Sequence, residues 1–335
     1  MEKILITGAS GFIGSFLVEY ALDKDYETYA GIRASSSKEY LKDERIRFID
    51  LKYADKSALV TQLTEWKQQN GKWDYIIHNA GVTKCKKKDD FDRVNFRYTK
   101  NFIEALIEAD MVPKKFIYTS SLSAWGPGDN KTKNPIMLCD EPKPDTLYGK
   151  SKLKAEEFIS SIPTFPYIFM RPTGVYGPRE KDYFVFLKTV KGGLEPSMGF
   201  GEQLLTFIYC KDLVKAVFLA IQKDVVRKGY FITDGNIYTN KEYGDIVKKH
   251  LGKKRALKLK VPLFLVKGIS SSLDTVCGWF GSTPTLNCDK YKILRCMNWK
   301  CEVEPIQKDL GFIAEYDLDK GIAESIEWYR NEKWL

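Results

Sequence analysis

Histidine is scarce in this 335-residue chain, which contains only His78 and His250. The seven cysteines form no CxxC pair, and neither histidine lies close to them in a ligand-like spacing. Structural zinc needs a set of closely spaced thiolate or imidazole ligands, and disulfide frameworks are typical of short secreted domains. We therefore expect no metal site and no disulfide framework, and reduced thiols in a cytoplasmic protein.

Long apolar runs are also missing. The chain passes from Met1 directly into an apolar segment, Lys3-Ile-Leu-Ile-Thr7, so no signal peptide is expected. The most apolar late stretch, residues 261–280, is interrupted by Lys267, Asp274 and several serines and glycines. It is too polar to span a bilayer. A buried helix or a lipophilic lid are the alternatives for this stretch, and no internal repeat is present.

A concentrated basic surface is absent as well. The net charge is +9, but the lysines and arginines are scattered, and the one tight run is residues 84–88 with Cys85 inside it. A run this short is typical of a solvated loop. We expect a small-molecule partner and no nucleic acid, and a modest basic excess suits an anionic cofactor.

Short apolar runs alternate with longer amphipathic segments in the first half of the chain. This pattern predicts strands at residues 4–6, 27–33, 46–49, 75–77, 115–119 and 167–170, and helices at 13–22, 56–69, 91–109 and 148–160. Such alternation is typical of an α/β fold with a doubly wound parallel sheet between two layers of helices.

The alternation of predicted strands and helices becomes less regular after Arg171, where glycines and prolines cluster over residues 172–201. A strand at 206–209, a helix at 212–221 and a strand at 230–233 follow, and the chain beyond Asp234 reads as helical and irregular. We predict a sheet domain of residues 1–172, to which 206–233 returns. A smaller substrate-binding lobe is predicted from 173–205 and 234–335.

Three glycines, Gly8, Gly11 and Gly14, stand between the first strand and the first helix. Glycines at this spacing let the backbone turn tightly, so that a pyrophosphate can meet the helix N-terminus. The sequence therefore predicts a dinucleotide site. Arg33 and the serines after it, Ser36 among them, favour NADP(H), because an arginine at this place can accept a 2′-phosphate. NAD(H) is also possible. The alternative interpretation of Arg33 is a solvated surface residue. Asp50 either touches the adenine or caps a loop.

Further motifs follow in a fixed order: Asp50-Leu51, His78-Asn79-Ala80-Gly81, Asn95, Ser120-Ser121 leading to Gly126, Tyr148-x-x-x-Lys152, and Arg171-Pro172 leading to Gly177-Pro178. With these motifs, nearly the whole chain resembles the extended short-chain dehydrogenase/reductase family, also called the NAD-dependent epimerase/dehydratase family. The resemblance implies a Rossmann-type fold, an NAD(P)-dependent enzyme and a homodimer formed through the fourth and sixth helices.

Tyr148 and Lys152 are the expected catalytic pair. Residues four apart lie on one face of a helix, and a nearby cation lowers the pKa of a phenol, which is ordinarily about 10. Tyr148 can then exchange a proton with a substrate hydroxyl or carbonyl while hydride moves. The family pattern assigns Ser121 to the reacting oxygen, with Ser120 and Ser123 as alternatives. It gives Asn95 an ordering role, or else a bond to its own helical turn. His78 is expected to be structural or lining.

The resemblance also implies contacts to the cofactor and the substrate. The cofactor set is Gly8, Ser10, Gly11, Phe12, Ile13, Gly14, Arg33, Ser36, Asp50, Leu51, Asn79, Ala80, Gly81, Thr119, Tyr148, Lys152, Pro172 and Val175. The substrate set is Thr83, Ser123, Thr173 and Gly174.

The substrate class is expected to depart from that of many relatives. Relatives that act on nucleotide sugars commonly carry an asparagine where this chain has Gly174, and an arginine at or near Leu205 that grips the diphosphate. Arg179 or Lys211 are possible substitutes. The departures resemble the branch of 3β-hydroxysteroid dehydrogenases and dihydroflavonol reductases. Large apolar residues after Arg171 agree with a lipophilic substrate or else form plain core: Phe184, Phe186, Phe207, Phe264, Leu265, Trp279 and Phe280.

Three hypotheses follow from these residues. The leading one is an oxidoreductase that interconverts a secondary alcohol and a ketone on a non-nucleotide substrate. The second is a nucleotide-sugar epimerase or dehydratase, which reuses its cofactor within one turnover. The third is a non-catalytic NADP(H)-sensing protein, which the presence of both Tyr148 and Lys152 disfavours.

Overall fold

The computed structural model describes residues 1–268, 270, 272 and 288–335. A seven-stranded sheet lies at its centre, in the order β11-β6-β5-β4-β1-β2-β3. All neighbours in this sheet pair in parallel. Its strands are β1 (Lys3–Thr7), β2 (Glu27–Gly31), β3 (Arg47–Ile49), β4 (Tyr75–His78), β5 (Lys115–Thr119), β6 (Tyr167–Pro172) and β11 (Lys228–Ile232). The predicted Rossmann-type α/β fold is confirmed.

Helices cover both faces of the sheet because alternate strand residues point to opposite sides. Leu5, Ile76 and Phe116 belong to one buried cluster, whereas Ile4, Ile77 and Ile117 belong to another. The flanking helices are α1 (Phe12–Asp23), α2 (Lys56–Asn70), α4 (Tyr98–Glu108), α5 (Leu147–Ser160) and α7 (Cys210–Gln222). With apolar side chains on both faces, the strands read as nearly continuous apolar runs in the sequence.

The long helix predicted at 91–109 has three parts. A short helical turn α3 (Asp89–Phe91) leads into a π-helical segment (Asp92–Arg97), and α4 follows at Tyr98. Apolar residues at three-to-four spacing are compatible with either helix type, so the pattern could not reveal the widened turn. π-Helical turns occur frequently at functional sites, and this one contains Asn95.

Beyond Pro172 the chain forms small sheets and further helices. Strand β7 (Gly174–Tyr176) pairs with β10 (Phe207–Tyr209), so the strand predicted at 206–209 lies outside the large sheet, whereas α7 and β11 lie within the sheet layers. The other strands are β8 (Leu194–Met198), β9 (Leu204–Leu205), β12 (Tyr238–Thr239) and β13 (Leu257–Val261). The expectation of helical and irregular chain beyond Asp234 is corrected by β12 and β13.

Two of the remaining helices begin at side-chain caps. Thr239 and Glu242 form a capping box at the start of α8, and Asp317 accepts a hydrogen bond from Lys320 N at the start of α11. The helices of this part include α6 (Asp182–Lys191), α8 (Asn240–Leu251), α9 (Cys288–Arg295), α10 (Glu304–Leu310) and α11 (Leu318–Asn331), and residues 263–268 are also helical. Helix α11 packs against α8 and β10, which attaches the C-terminal segment to the small β7–β10 sheet.

Within the described ranges, no helix combines the length and apolar character that crossing a bilayer requires. Half of the stretch discussed as a buried helix or lipophilic lid, including Trp279 and Phe280, lies outside the described residues.

Candidate active site

The turn between β1 and α1 brings backbone segments very close together. Gly8 has a φ of +65°, and a Cβ there would lie 2.8 Å from the Ala80 Cα. A Cβ at Gly14 would lie 2.8 Å from the Ala9 Cα. Helix α1 begins after Gly11 with no side-chain cap and no acidic residue in its first turn. Its first N–H groups can therefore bind an anion, which fits the pyrophosphate of a dinucleotide.

The carboxyl end of β5 carries two orphan hydroxyl groups. Thr119 Oγ1 and Ser120 Oγ are buried and have no hydrogen-bond partner in the part of the chain that is described. An unsatisfied buried polar group costs about 1–3 kcal/mol. Such atoms at this sheet edge fit groups that a bound cofactor satisfies, and Thr119 is one of the predicted cofactor contacts.

Arg33, Ser36 and Asp50 lie together beyond the ends of β2 and β3. Arg33 and Asp50 are exposed, Ser36 N donates to Arg33 O at 2.9 Å, and Ala34 N donates to Asp50 Oδ2 at 2.9 Å. Asp50 therefore holds the loop that carries Arg33. Leu51, which follows it, is buried.

Ser121, Tyr148 and Lys152 come together at the carboxyl edge of the sheet. Ser121 caps a short 3₁₀ helix (Leu122–Ala124) and is hydrogen-bonded to the Tyr148 side chain. Helix α5 places Lys152 one turn after Tyr148, and Lys152 Nζ donates to Thr119 O at 2.7 Å. A Cβ at Gly81 would lie 3.3 Å from this ammonium nitrogen, so the glycine leaves room for it.

Burial shifts the pKa values of both catalytic groups. It raises the pKa of Tyr148 to about 12, and the hydrogen bond with Ser121 acts in the opposite direction. It lowers the pKa of Lys152 to about 8, opposed by the negative charge of Glu156. The expected lowering of the Tyr148 pKa by Lys152 is not found, because enclosure of the phenol dominates and the ammonium donates to Thr119 O instead. At neutral pH Tyr148 therefore carries its proton and is ready to act as an acid.

A buried ion pair lies one helical turn beyond Lys152. Arg171 Nη2 lies 2.7 Å from Glu156 Oε2, and Arg171 Nε donates to Glu156 Oε1 at 3.0 Å. The Trp125 ring centroid lies 3.9 Å from Arg171 Cζ. Sequence reasoning named Arg171 only as part of a motif and missed Glu156. The spacing of four from Lys152, which places both side chains on one helix face, is the signal that could have found it.

Asn95 connects the loop after β4 to helix α5. It is fully buried in the π-helical segment, accepts from Val82 N at 2.8 Å, and donates to Val82 O and Ser151 Oγ, each at 3.0 Å. Its side chain thus bonds across the site and not to its own helical turn. This arrangement fixes the loop next to Gly81.

His78 is held between two threonines. Its Nδ1 lies 2.9 Å from Thr7 Oγ1 and its Nε2 lies 2.9 Å from Thr99 Oγ1. Burial lowers its pKa to about 3, with the nearby charge of Lys152 acting in the same direction. His78 is therefore neutral at physiological pH, which supports its structural assignment.

The predicted substrate residues come from three segments: the loop after β4, the 3₁₀ helix after β5, and the junction of β6 and β7. Thr83 is exposed in the loop after β4, Ser123 lies in the 3₁₀ helix, and Thr173 Oγ1 donates to Ile232 O at 3.2 Å. A Cβ at Gly174 would meet Tyr183 Oη and would lie 3.1 Å from Phe207 Cδ1. Tyr183 therefore fills the space that a side chain at position 174 would need.

The two cations named as substitutes for the missing arginine are paired elsewhere. Arg179 donates to Ser15 Oγ at 2.9 Å and lies 2.7 Å from Glu19 Oε1, whereas Lys211 lies 2.5 Å from Glu324 Oε1. Neither is left to bind a diphosphate without breaking an ion pair.

The large apolar residues of the second half pack mainly against one another. The ring of Phe184 lies 4.9 Å from that of Tyr329, and the rings of Phe186 and Phe207 lie 4.8 and 5.3 Å from that of Tyr243. These contacts favour the core interpretation over a lipophilic substrate pocket. Phe264, by contrast, is 71% exposed.

Sequence reasoning also missed a charged group around the N-terminus of α5. Asp289 on α9 accepts hydrogen bonds from Leu147 N and Tyr148 N. Asp182 on α6 pairs with Lys84 and, at 3.3 Å, with Lys290. These partners lie far apart in the sequence and do not belong to a common motif, so no local sequence pattern could predict their contacts.

The model of the NAD dependent epimerase/dehydratase family matches residues 4–232 of this chain. The chain belongs to this family. Within the family, the human dTDP-D-glucose 4,6-dehydratase is 25% identical over 345 residues, covering 98% of this chain and 90% of that protein. An uncharacterised protein of Methanocaldococcus jannaschii is 27% identical over 360 residues, covering 100% of this chain and 98% of that protein.

Among solved structures, the UDP-glucose 4-epimerase of Thermotoga maritima with UDP-glucose has a TM-score of 0.77 at 20% identity, covering 99% of each chain. The UDP-glucuronic acid 4-epimerase of Bacillus cereus in complex with NAD has a TM-score of 0.76 at 19% identity, covering 98% of this chain and 99% of that one. At this identity the likeness establishes the fold, and family membership makes the chain an NAD-dependent enzyme of the extended short-chain dehydrogenase type.

Proposed function

We propose that this enzyme interconverts a secondary hydroxyl and a ketone on the sugar of a nucleotide sugar, with Tyr148 as acid and base. The observation that carries the proposal is the grouping of Ser121, Tyr148 and Lys152 at the sheet edge next to the glycine turn. The nucleotide-sugar part of the proposal comes from the relatives, since solved epimerases of the same fold contain UDP-glucose and UDP-glucuronic acid.

The site residues divide the chemistry as follows. Tyr148, protonated at neutral pH, donates its proton to the carbonyl oxygen during reduction and takes it back during oxidation. Ser121 orients the reacting oxygen by a hydrogen bond. Lys152 remains largely cationic at pH 7 and stabilises the phenolate that forms after proton donation. Asn95 keeps the loop next to the reacting atoms in place.

A nicotinamide dinucleotide supplies or accepts the hydride when it is bound. The first N–H groups of α1, the glycines of the turn, Ala80 and Thr119 would hold it. The adenosine end would lie near Arg33, Ser36 and Asp50. Arg33 supports a preference for NADP(H), because no carboxylate stands at the end of β2, although related solved structures contain NAD.

Epimerisation or simple oxidoreduction fits the site better than dehydration. Removal of water from a ketosugar needs a further acid/base group that takes a carbon-bound proton and protonates the departing hydroxyl. The turn that presents Ser121 continues as Leu122, Ser123 and Ala124 and offers no carboxylate. This supports a function in which hydride transfer and the Tyr148 proton are sufficient.

A second candidate is the same reaction on a secondary alcohol without a nucleotide. Two observations favour it: Tyr183 fills the space beside Gly174, and Arg179 and Lys211 are engaged in other ion pairs. Both candidates assign the same role to Tyr148 and differ in the group that anchors the substrate.

Tyr148→Phe tests the role common to both candidates. The substitution removes the proton-carrying oxygen and preserves the ring, so turnover should fall by at least about a hundredfold. The dissociation constant for NAD(P)H should stay within about twofold, since the phosphate contacts lie on α1. Tyr75→Phe, which removes a surface hydrogen bond to Glu2, is the matched control and should keep full activity. Full activity of Tyr148→Phe would refute the proposed function.

A further inference from the structure

The first turn of α5 is capped partly from a distant part of the chain. Gly149 N donates to the side chain of Thr146, the local cap, at 2.9 Å. Leu147 N and Tyr148 N donate instead to the two carboxylate oxygens of Asp289, at 3.2 and 3.1 Å. Asp289 lies 141 positions beyond Tyr148, in α9. The backbone of the catalytic tyrosine is thus bound by a side chain from the region predicted as the substrate lobe.

Helix α9 holds the segment before Tyr148 by further contacts. Lys292 Nζ donates to Asp145 O at 2.7 Å, and Arg295 Nη2 lies 3.3 Å from Asp145 Oδ2. On the other side of the site, Lys290 pairs with Asp182 at the start of α6, and Asp182 also pairs with Lys84 in the loop after β4. Helix α9 therefore links α5, α6 and the loop that contains Thr83.

The Asp289 contact is of a strong kind. A carboxylate that accepts from backbone N–H groups forms charge-assisted hydrogen bonds, and its negative charge is favourable at the positive end of the helix dipole. Its position fixes the backbone from which the Tyr148 ring extends. Because a displacement of about 1 Å at a reacting group can cost a hundredfold in rate, small shifts of this turn matter.

We propose that Asp289 is a positioning residue for catalysis. It couples the placement of α9 to the placement of Tyr148, so that the site is complete only when α9 is docked on α5. The proposal rests on the proposed function, because it assigns Asp289 the task of orienting the Tyr148 acid/base.

Amide hydrogen exchange tests the coupling without requiring a substrate. In Asp289→Ala, exchange at Leu147 and Tyr148 should accelerate by about tenfold or more, because two protected donors become open to water. Asp289→Asn keeps one acceptor oxygen and should give an intermediate result. Asp245→Ala, which removes an exposed carboxylate paired with Lys248 on α8, is the matched control and should leave residues 147–149 unchanged. Unchanged exchange in Asp289→Ala would overturn the proposal.

Kinetics separate positioning from a merely structural role. Asp289→Ala should lower kcat by at least about tenfold while the dissociation constant for NAD(P)H stays within about twofold. Asp289→Asn should recover part of kcat, which keeps the test valid if the alanine variant folds poorly. Fast exchange at 147–148 with unchanged kcat would also overturn the proposal. Activity retained in Tyr148→Phe would instead refute the proposed function, and the exchange result would still report on the α9–α5 contact.

Discussion

Lys152 and Tyr148 show how strongly enclosure governs single residues in this site. Lys152 is buried and Tyr148 is half-buried, and the loss of surrounding water penalises the charged form of each. The pKa values therefore move in opposite directions, up for the phenol and down for the ammonium. The site maintains a neutral acid beside a cation that is close to losing its proton.

The depressed pKa of Lys152 predicts a pH-dependent stability. Its folded-state pKa is about 8 and its ordinary value 10.5, so between these pH values the unfolded chain binds more protons than the folded one. The free energy of unfolding should therefore rise with pH in this window, by up to roughly 3 kcal/mol. Above pH 10 the raised pKa of Tyr148 acts in the opposite sense. Denaturant unfolding of wild type and Lys152→Met from pH 7 to 10 measures this contribution.

The free energy of unfolding of the wild type minus that of Lys152→Met should become more positive from pH 7 to 10. A difference that stays constant with pH would show that burial does not depress the Lys152 pKa. Lys150→Met, on the exposed side of the same helix, is the control and should leave the pH dependence unchanged.

The close contact between strand β7 and helix α6 depends on a glycine, which has no side chain. Strand β7 starts at Gly174, and helix α6 places Tyr183 against it. The sequence indicated only that an asparagine typical of relatives is replaced. The packing explains the replacement, because the space is already filled by a phenol from the neighbouring helix.

Gly174→Ala should destabilise the fold by about 1–3 kcal/mol, the usual cost of forcing extra volume into a packed site. Removal of the opposing hydroxyl in Tyr183→Phe should relieve most of this cost, so the double variant should show a coupling of at least about 0.5 kcal/mol. Urea denaturation of both single variants and the double variant provides the measurement. Gly268→Ala, where the added Cβ meets no atom of the described residues within 4 Å, is the control. Additive effects of the two substitutions would contradict this account of the packing.

Elements with a strong local signal were predictable, and those fixed by distant contacts were not. The strands and helices of the sheet domain follow from apolar periodicity, and Tyr148, Lys152 and Ser121 follow from motifs tied to those elements. The π-helical segment is stabilised by Asn95 bonding to Val82 and Ser151, and β12 has only two residues. Strand β13 alternates leucine and lysine before Val261, a period-two signal that could have predicted it. The spacing of four from Lys152 could have found Glu156, but its pairing with Arg171 and the contacts of Asp289 depend on tertiary structure.

At the scale of the whole molecule, melting temperature can decide between the two candidate substrates. NADH and NADPH are tested first, and stronger stabilisation by NADPH is expected from Arg33. UDP, dTDP, GDP and ADP are then added separately with the preferred cofactor present. A ligand at a hundred times its dissociation constant stabilises by about 2.7 kcal/mol, which raises the melting temperature of a chain this size by a few degrees.

A shift with one nucleotide would support the nucleotide-sugar function and identify the carrier. An absence of any nucleotide shift, with the cofactor shift intact, would contradict that function and favour an alcohol without a nucleotide. Arg33→Ala should reduce the NADPH shift and leave the NADH shift unchanged. Equal shifts with both cofactors in the wild type would contradict the NADP(H) preference.

The threonine-bound His78 has a consequence for the conditions under which the enzyme can work. With a pKa of about 3 and both ring nitrogens hydrogen-bonded, this imidazole stays neutral through mild acidification. The two strand ends that it joins, β1 at Thr7 and β4 at His78, therefore keep the same hydrogen-bond pattern from pH 5 upwards. The contact between β1 and β4 therefore does not respond to the proton concentration in this range, although histidine is the residue type that most often titrates near neutral pH.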